Sequence, residues 1–407
     1  MPNLHIKNKI GEILTSGYWL LAALTGAFFS FFALNRGGVV VFIEVGFVFV
    51  LLNLITGQYK IKQIPATLWV TLAICLYLII SGYLSASHEV KTKYVMYLVR
   101  MLFIVFTIHC LSLKKIDTRV YEFFPIIWCL SICWQFVAVK IFDMPFGTYT
   151  NPHYLSNFVI SILPLIVYSF WTAKGRYKWL FILFALLACD LLLRTGSRTA
   201  FLAISFSVVF SLIFFIKSRT KWIGLLLVAL AFTILSFSNY GGVADRVKDL
   251  LVNLATEERV YFWQSALEML KKNNLIDWIF GNGIGSYRAV YPQYANLELR
   301  PFWFAHLHLI EILYENGFTG LLLVYGGLAG LFGLTINGLI NTTNGTTSIL
   351  IKCMLVIFLC WMIHSNLTFP FYSKYAQYPL GFILGTMLVL INPSNLSTQN
   401  RKSSANN

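Results

Sequence analysis

The sequence predicts an all-α polytopic membrane protein with about 12 transmembrane helices and one large polar helical loop between spans 9 and 10. Of its 407 residues, 58% are hydrophobic and only 12% are charged, and the mean hydropathy is +0.71. A soluble protein of this size would carry about 25% charged residues. The apolar residues also occur in runs that approach the roughly 20 residues a membrane-spanning helix needs. Composition and segment length together exclude a soluble globular fold.

The apolar runs divide the chain into spans. The predicted segments are 17–34, 39–56, 66–84, 94–113, 121–141, 154–172, 177–193, 199–216, 221–238, 309–334, 348–367 and 376–392. The seventh and the last are short, so eleven spans are the alternative. Four regions follow: spans 1–9 in residues 1–238, a loop domain at 239–305, spans 10–12 in residues 306–392, and a tail at 393–407.

Lysine and arginine in the short loops predict the orientation. Clusters such as Lys60 with Lys62 and Lys114 with Lys115 recur in alternate loops, and the loops between them hold fewer cations. Positively charged loops stay on the cytoplasmic side, so both termini are predicted to be cytoplasmic and loop 239–305 to lie on the far side. This bias explains most of the net charge of +15, which therefore does not indicate a nucleic-acid partner.

The polar loop contains one predicted helix and one glycine turn. Residues 257–272 have an apolar stripe formed by Val260, Trp263, Leu267 and Leu270. Arg259 falls in the first turn of this helix, where the dipole disfavours a cation, so its position is explained either by a neighbouring acid or by a ligand. The turn is Gly281-Asn282-Gly283-Ile284-Gly285. Such a turn exposes backbone amides that can favour an anion.

Arginines also occur at the ends of predicted spans. Arg194 follows Asp190 by four residues, a spacing that favours an ion pair on one helix face. Arg198 opens the next span, where an arginine is costly unless it pairs or faces a wet cavity. It is therefore either an anion ligand or a charge that snorkels to the interface. Arg100, deep in span four, either lines such a cavity or belongs to a buried pair.

Two histidines, His306 and His308, stand where the loop returns to the membrane, and Glu311 and Glu315 follow them. A histidine near a carboxylate can act as a general base near neutral pH; the alternative is a structural histidine at a helix start. On a helix the two side chains would point about 200° apart, so they could not both face one site. No third ligand has suitable spacing for zinc, so no metal is predicted. The seven cysteines lie in apolar runs and are interpreted as small core residues.

Arginines and a histidine on one face of the membrane suit one chemistry. Arginine forks bind a diphosphate well, and a histidine can remove a proton from a sugar hydroxyl. No Asp-x-Asp pair lies outside the predicted spans. A metal-chelated nucleotide sugar is therefore not favoured, and a lipid-linked diphospho-sugar is.

Four segments, in order, resemble the bacterial O-antigen ligase and O-antigen polymerase superfamily of undecaprenyl-diphosphate-dependent membrane glycosyltransferases. They are Asn151-Pro152-His153-Tyr154-Leu155, Thr195-Gly196-Ser197-Arg198-Thr199-Ala200, Glu258-Arg259 with Trp263 and the glycine turn, and His306 eleven residues before Gly317 with Gly320 beyond. The resemblance covers about residues 140–330. Two positions depart from the family pattern: Leu307 and His153 each replace a usual asparagine.

This resemblance implies a GT-C-like, all-helical fold in which a periplasmic loop caps a cavity. Arg198 and Arg259 would hold the diphosphate of an undecaprenyl-diphosphate-linked glycan, and His306 would activate the acceptor hydroxyl. The secondary candidates are Arg194, His308, Glu311, Arg288 and Arg100. No cofactor and no metal is implied, because the arginines supply the positive charge.

Two activities of the family use the same donor. A ligase transfers the finished glycan to a lipid A-core sugar. A polymerase transfers the growing glycan to another lipid-linked repeat unit, with a chain-length regulator as a further partner. The resemblance implies the bacterial inner membrane, contacts with membrane lipids, and an active site that faces the periplasm. The ligase is the preferred interpretation and the polymerase the alternative. A non-enzymatic transporter of the same lipids is the third, and it would not require His306.

Overall fold

The computed structural model describes residues 16–32, 38–83, 88–114, 124–216, a few positions between 221 and 233, 258–295, 304–343 and 345–391. Before the polar loop the helices are α1 (Gly17–Phe32), α2 (Gly38–Ile55), α3 (Ala66–Tyr83), α4 (His88–Ser112), α5 (Phe124–Lys140), α6 (Pro152–Thr172), α7 (Lys178–Thr195) and α8 (Arg198–Phe215). In the loop and after it are α9 (Glu258–Lys271), α10 (Leu275–Phe280), α11 (Ser286–Val290), α12 (His308–Asn341), α13 (Gly345–Asn366) and α14 (Lys374–Leu390).

The described residues form helices and turns without a strand, which confirms the all-α membrane class. Every predicted span except the ninth coincides with one of these helices; the ninth, 221–238, lies mostly outside the described residues. Six described helices are long and apolar enough to cross a membrane, namely α2, the 92–112 part of α4, α6, α8, α12 and α13. The total number of crossings stays a prediction.

Two apolar cores hold the bundle together. In the first, α3, α4, α12, α13 and α14 pack around the fully buried Trp361 of α13. The second is built from α6, α7 and α8 together with buried residues of α1, α2, α4 and α5. Large apolar side chains also lie on the outside of the bundle, such as Ile55 and Ile340. In a chain of this composition, such exposed apolar faces suit contact with lipid. All seven cysteines are free and five are buried, but Cys189 is exposed, so its interpretation as a core residue is wrong.

The helix α12 is longer than the predicted span at 309–334, and it bends where the polar loop packs on it. At Gly317 the backbone leaves the helical region (φ 65°, ψ −171°). A Cβ atom there would lie 2.4 Å from the Ile279 carbonyl oxygen and 2.6 Å from the Gly281 nitrogen. Gly281 also has a positive φ of 80°, and its Cβ would lie 2.3 Å from the Asn316 nitrogen. The glycine turn and the bend therefore meet backbone to backbone, which only glycine permits.

We expect Gly317→Ala to prevent correct docking of the loop on α12. The new methyl group would overlap main-chain atoms, which cannot rotate away as a side chain can, and the positive φ adds strain. The measurement is the yield and thermal stability of the monodisperse protein in detergent. Gly333→Ala on the same helix is the matched control, because a Cβ there meets nothing within 4 Å. Equal stability of the two variants would contradict the backbone contact.

Candidate active site

The polar loop and the start of α12 share one small core. Its buried members are Phe262, Ala266, Met269, Leu270, Tyr287, Tyr291, Ala305, Ile310 and Tyr314. The first turns of α12 thus belong to the loop unit as much as to the membrane bundle. The predicted stripe of α9 is wrong at Leu267, which is 51% exposed. The helix instead buries Phe262, Ala266 and Met269, a stripe rotated so that Phe262 contacts the returning chain.

His306 lies in the turn before α12, inside this core. Its φ of 53° is in the left-handed region, and the side chain is 8% exposed. The imidazole packs against Phe262, with ring centroids 5.5 Å apart and nearly parallel planes, and against Phe304 at 4.1 Å. The Trp263 indole nitrogen donates to the Ala305 carbonyl oxygen at 3.1 Å, which fixes the preceding peptide. A non-glycine residue held at positive φ between two aromatic rings marks a position under constraint.

The carboxylate of Glu311 holds the chain on both sides of the site. Its Oε1 accepts the Ala305 amide at 3.0 Å and its Oε2 accepts the Phe371 amide at 2.9 Å. The predicted carboxylate near His306 is therefore present, but it binds the backbone before the histidine and ties it to the α13–α14 loop. His308 points elsewhere: it is 1% exposed and packs against Phe371 and Trp361.

Electrostatics keep the His306 ring neutral. Burial, the charge of Arg259 and that of His153 lower the pKa of His306 to about 3, with the backbone of Leu367 acting in the opposite direction. Arg259, in the first turn of α9 as predicted, is half-buried. Both Arg259 and His153 thus lie within electrostatic reach of His306. A neutral imidazole beside a cation can accept a proton, particularly once an anion offsets the cation's charge.

The second arginine segment approaches the site from the short α7–α8 turn. Gly196 ends α7 in the left-handed conformation (φ 54°), Ser197 is the N-cap residue of α8, and Arg198 is the first residue of that helix. His153 Nδ1 lies 3.1 Å from Ser197 Oγ. Since His153 also influences His306, the Ser197–Arg198 turn and the histidine belong to one neighbourhood. Asn151 caps α6 by accepting the His153 amide at 2.8 Å, as expected for a turn that opens a span.

The α13–α14 loop completes this region and was not predicted. Thr368 Oγ1 lies 2.8 Å from Thr199 Oγ1. His364 Nε2 lies 3.0 Å from Ser156 Oγ and 3.5 Å from Ser197 Oγ. The available signal was His364 itself, a titratable side chain inside an apolar span, which usually marks a functional position.

The remaining candidates have other surroundings. Arg194 Nε donates to Asp190 Oδ2 at 2.8 Å, so the predicted pair is confirmed. Arg100 donates to Glu44 at 2.9 Å, so it belongs to a pair, but that pair is only partly buried because the Glu44 side chain is 45% exposed. Arg288 is exposed on α11 and its side chain forms a hydrogen bond with that of Tyr94 on α4.

The glycine turn serves the fold more directly than it serves a ligand. The amides of Gly281, Asn282 and Gly283 donate to the backbone oxygens of Asp277, Tyr314 and Glu315. The Glu315 carboxylate accepts the Tyr287 amide at 3.1 Å. The turn and the residues after it are thus bonded to α12 itself, and these contacts lock the turn onto that helix.

The fold and this site define an all-helical membrane protein with a histidine and two arginine-bearing segments gathered at one end of the bundle. A family model described as O-antigen ligase matches residues 182–325, a segment that runs from α7 into α12 and contains Arg198, Arg259 and His306. This match supports the resemblance and an assignment of the chain to the O-antigen ligase and polymerase superfamily, whose members act in lipopolysaccharide biosynthesis. No curated protein matches the chain. The family supports a membrane glycosyltransferase of ligase or polymerase type that acts on lipid-linked glycans.

Proposed function

We propose that the protein is an O-antigen ligase that moves a glycan from undecaprenyl diphosphate to a lipid A-core sugar hydroxyl at the periplasmic face of the inner membrane. The observation that carries the proposal is the buried His306, in a left-handed turn between two aromatic rings and within electrostatic reach of Arg259, inside the segment matched by the family model. A base and a cation in one neighbourhood are what glycosyl transfer from a diphosphate needs, because a hydroxyl proton and a leaving anion must be handled together.

The reaction follows from these roles. The acceptor hydroxyl gives its proton to His306, and its oxygen forms a bond to the anomeric carbon of the donor glycan. The bond from that carbon to the diphosphate oxygen breaks, and the electron pair leaves with the diphosphate. Arg198 and Arg259 bind the diphosphate and stabilise the charge that it gains.

Donor binding also prepares the base. In the free protein, the charge of Arg259 helps to hold the pKa of His306 low. A diphosphate bound by Arg259 offsets that charge and raises the pKa of His306. The histidine therefore becomes a stronger base only when a donor is in place. Because the pKa of His306 stays low until the donor binds, His306 is not protonated in the empty site.

Deletion of the gene, with the surface glycans resolved on a gel, tests this function. For a ligase we expect no polymer on the lipid A-core and accumulation of lipid-linked polymer. A core that carries a single repeat unit would instead identify a polymerase. Normal glycans would overturn both activities. The control is complementation by the wild-type gene, at matched protein level in the membrane.

A further inference from the structure

The N-cap residue of α8 does not cap its own helix. Ser197 has the extended backbone of an N-cap, but its hydroxyl accepts no capping hydrogen bond from a backbone amide of the first turn. Serine is common at this position because that bond stabilises the helix. Here Ser197 Oγ lies 3.1 Å from His153 Nδ1, 3.2 Å from Thr199 Oγ1 and 3.5 Å from His364 Nε2. A local stabilising contact has been exchanged for contacts with two other helices.

These three neighbours use the whole capacity of the hydroxyl. A serine hydroxyl offers one proton and two acceptor sites. Ser156 Oγ donates its only proton to the His153 carbonyl oxygen at 3.0 Å, so it accepts from His364 Nε2. His364 Nε2 therefore carries a proton and donates towards both serines. His364 is completely buried, and its Nδ1 has no hydrogen-bond partner among the described residues, so the ring bonds to its neighbours there through Nε2.

The same contacts determine the position of Arg198, the first residue of α8. The Ser197 amide donates to Thr195 Oγ1 at 3.2 Å, and Thr199 is tied to Thr368 of the α13–α14 loop. The residues on both sides of Arg198 are thus joined to α6 and to the end of α13. His153, on α6, also lies within electrostatic reach of His306.

We propose that His153 and His364 are positioning residues that act through the Ser197 hydroxyl to fix Arg198 against the diphosphate of the donor. This rests on the proposed function, in which Arg198 binds that group. The two histidines do not exchange protons with the substrate in this scheme. They align a guanidinium fork, whose value depends on geometry more than on charge.

A double-mutant cycle between Ser197 and Arg198 tests the coupling. The purified full-length protein is assayed in liposomes with an undecaprenyl-diphosphate-linked glycan. We expect Ser197→Ala alone to lower kcat/KM on the order of 100-fold, the cost of a displaced positioning group. In an Arg198→Ala background the same change should lower kcat/KM by less than about threefold, because its target is already absent. Ser161→Ala is the matched control: it removes a buried α6 hydroxyl that bonds only within its helix, to the Asn157 carbonyl oxygen at 2.7 Å.

His153 supplies a second test, which does not depend on whether the Ser197→Ala variant folds. His153→Ala should lower kcat/KM as Ser197→Ala does, whereas His153→Asn should restore most of it, since an amide can reach Ser197 Oγ from nearly the same place as Nδ1. Losses from Ser197→Ala and Arg198→Ala that simply multiply would overturn the inference and leave a purely structural role. Full activity of Arg198→Ala would instead refute the diphosphate clamp of the proposed function.

Discussion

Replacing His306 with asparagine is expected to abolish glycan transfer in a protein that still folds and binds its donor. The change removes the proton acceptor, whose positioned proton transfer is worth roughly 10²–10⁴-fold in rate. Asparagine is the substitution of choice because His306 has a φ of 53°, a conformation that asparagine tolerates better than alanine does. The measurement is transfer of labelled glycan in liposomes, with binding of undecaprenyl diphosphate measured in parallel.

The reserve candidate, His308, is the internal comparison. It is buried between Phe371 and Trp361, so we expect His308→Asn to lower the yield of folded protein more than the turnover of what folds. His109→Asn, at a buried histidine that contacts Tyr59 instead, controls for the loss of any buried imidazole. An active His306→Asn variant beside an inactive, folded His308→Asn variant would transfer the role of base to His308.

The pH dependence of the wild-type protein checks the same role. A base must be neutral to act, and burial with the charge of Arg259 holds the pKa of His306 in the free protein at about 3. The acid limb of kcat/KM, which reports the free protein, should therefore lie well below the 6.5 of an ordinary histidine. The acid limb of kcat should lie at higher pH, because the bound diphosphate raises the pKa. Coincident limbs would contradict the coupling between donor and base.

Much of the helical framework could be predicted because its causes are local. Apolar runs of the right length specify membrane helices wherever they occur, and the first eight predicted spans fall on helices. Spacing alone predicted the pair of Arg194 with Asp190, and the limits of the apolar runs predicted that Arg198 opens α8. These features depend on residues within one helix or one turn.

The contacts of the site could not be predicted because they join distant segments. Glu311 was predicted to be the carboxylate beside a histidine. It instead joins the backbone of Ala305 to that of Phe371, which lies 60 positions after Glu311 in the sequence. The face of α9 was misjudged at Leu267 because periodicity tolerates a small rotation, and only the position of the His306 turn decides it. The glycine turn was predicted to favour an anion, but the Gly283 amide donates to the Glu315 backbone oxygen and the Tyr287 amide donates to the Glu315 side chain.

Changing Arg198 or Arg259 to lysine is the second change expected to have a large effect. Lysine keeps the positive charge but loses the planar fork that binds two oxygens of a phosphate at once. If the fork stabilises the charge of the departing diphosphate, each change should lower the rate on the order of 10²–10³-fold, the usual cost of one such donor.

Arg176→Lys is the matched control, since Arg176 is an exposed arginine at the opposite end of α6. It should leave transfer unchanged and show that arginine-to-lysine changes do not harm insertion or folding.

The kinetic constants of the Arg198 and Arg259 variants separate two roles. Loss of donor affinity with normal turnover would indicate binding in the ground state alone, whereas loss of turnover at saturating donor indicates stabilisation of the leaving group. Normal rates in both lysine variants would mean that charge suffices and that no fork contacts the diphosphate. The positioning role of Ser197 would then lose its purpose, because a flexible ammonium group needs no fixed helix start.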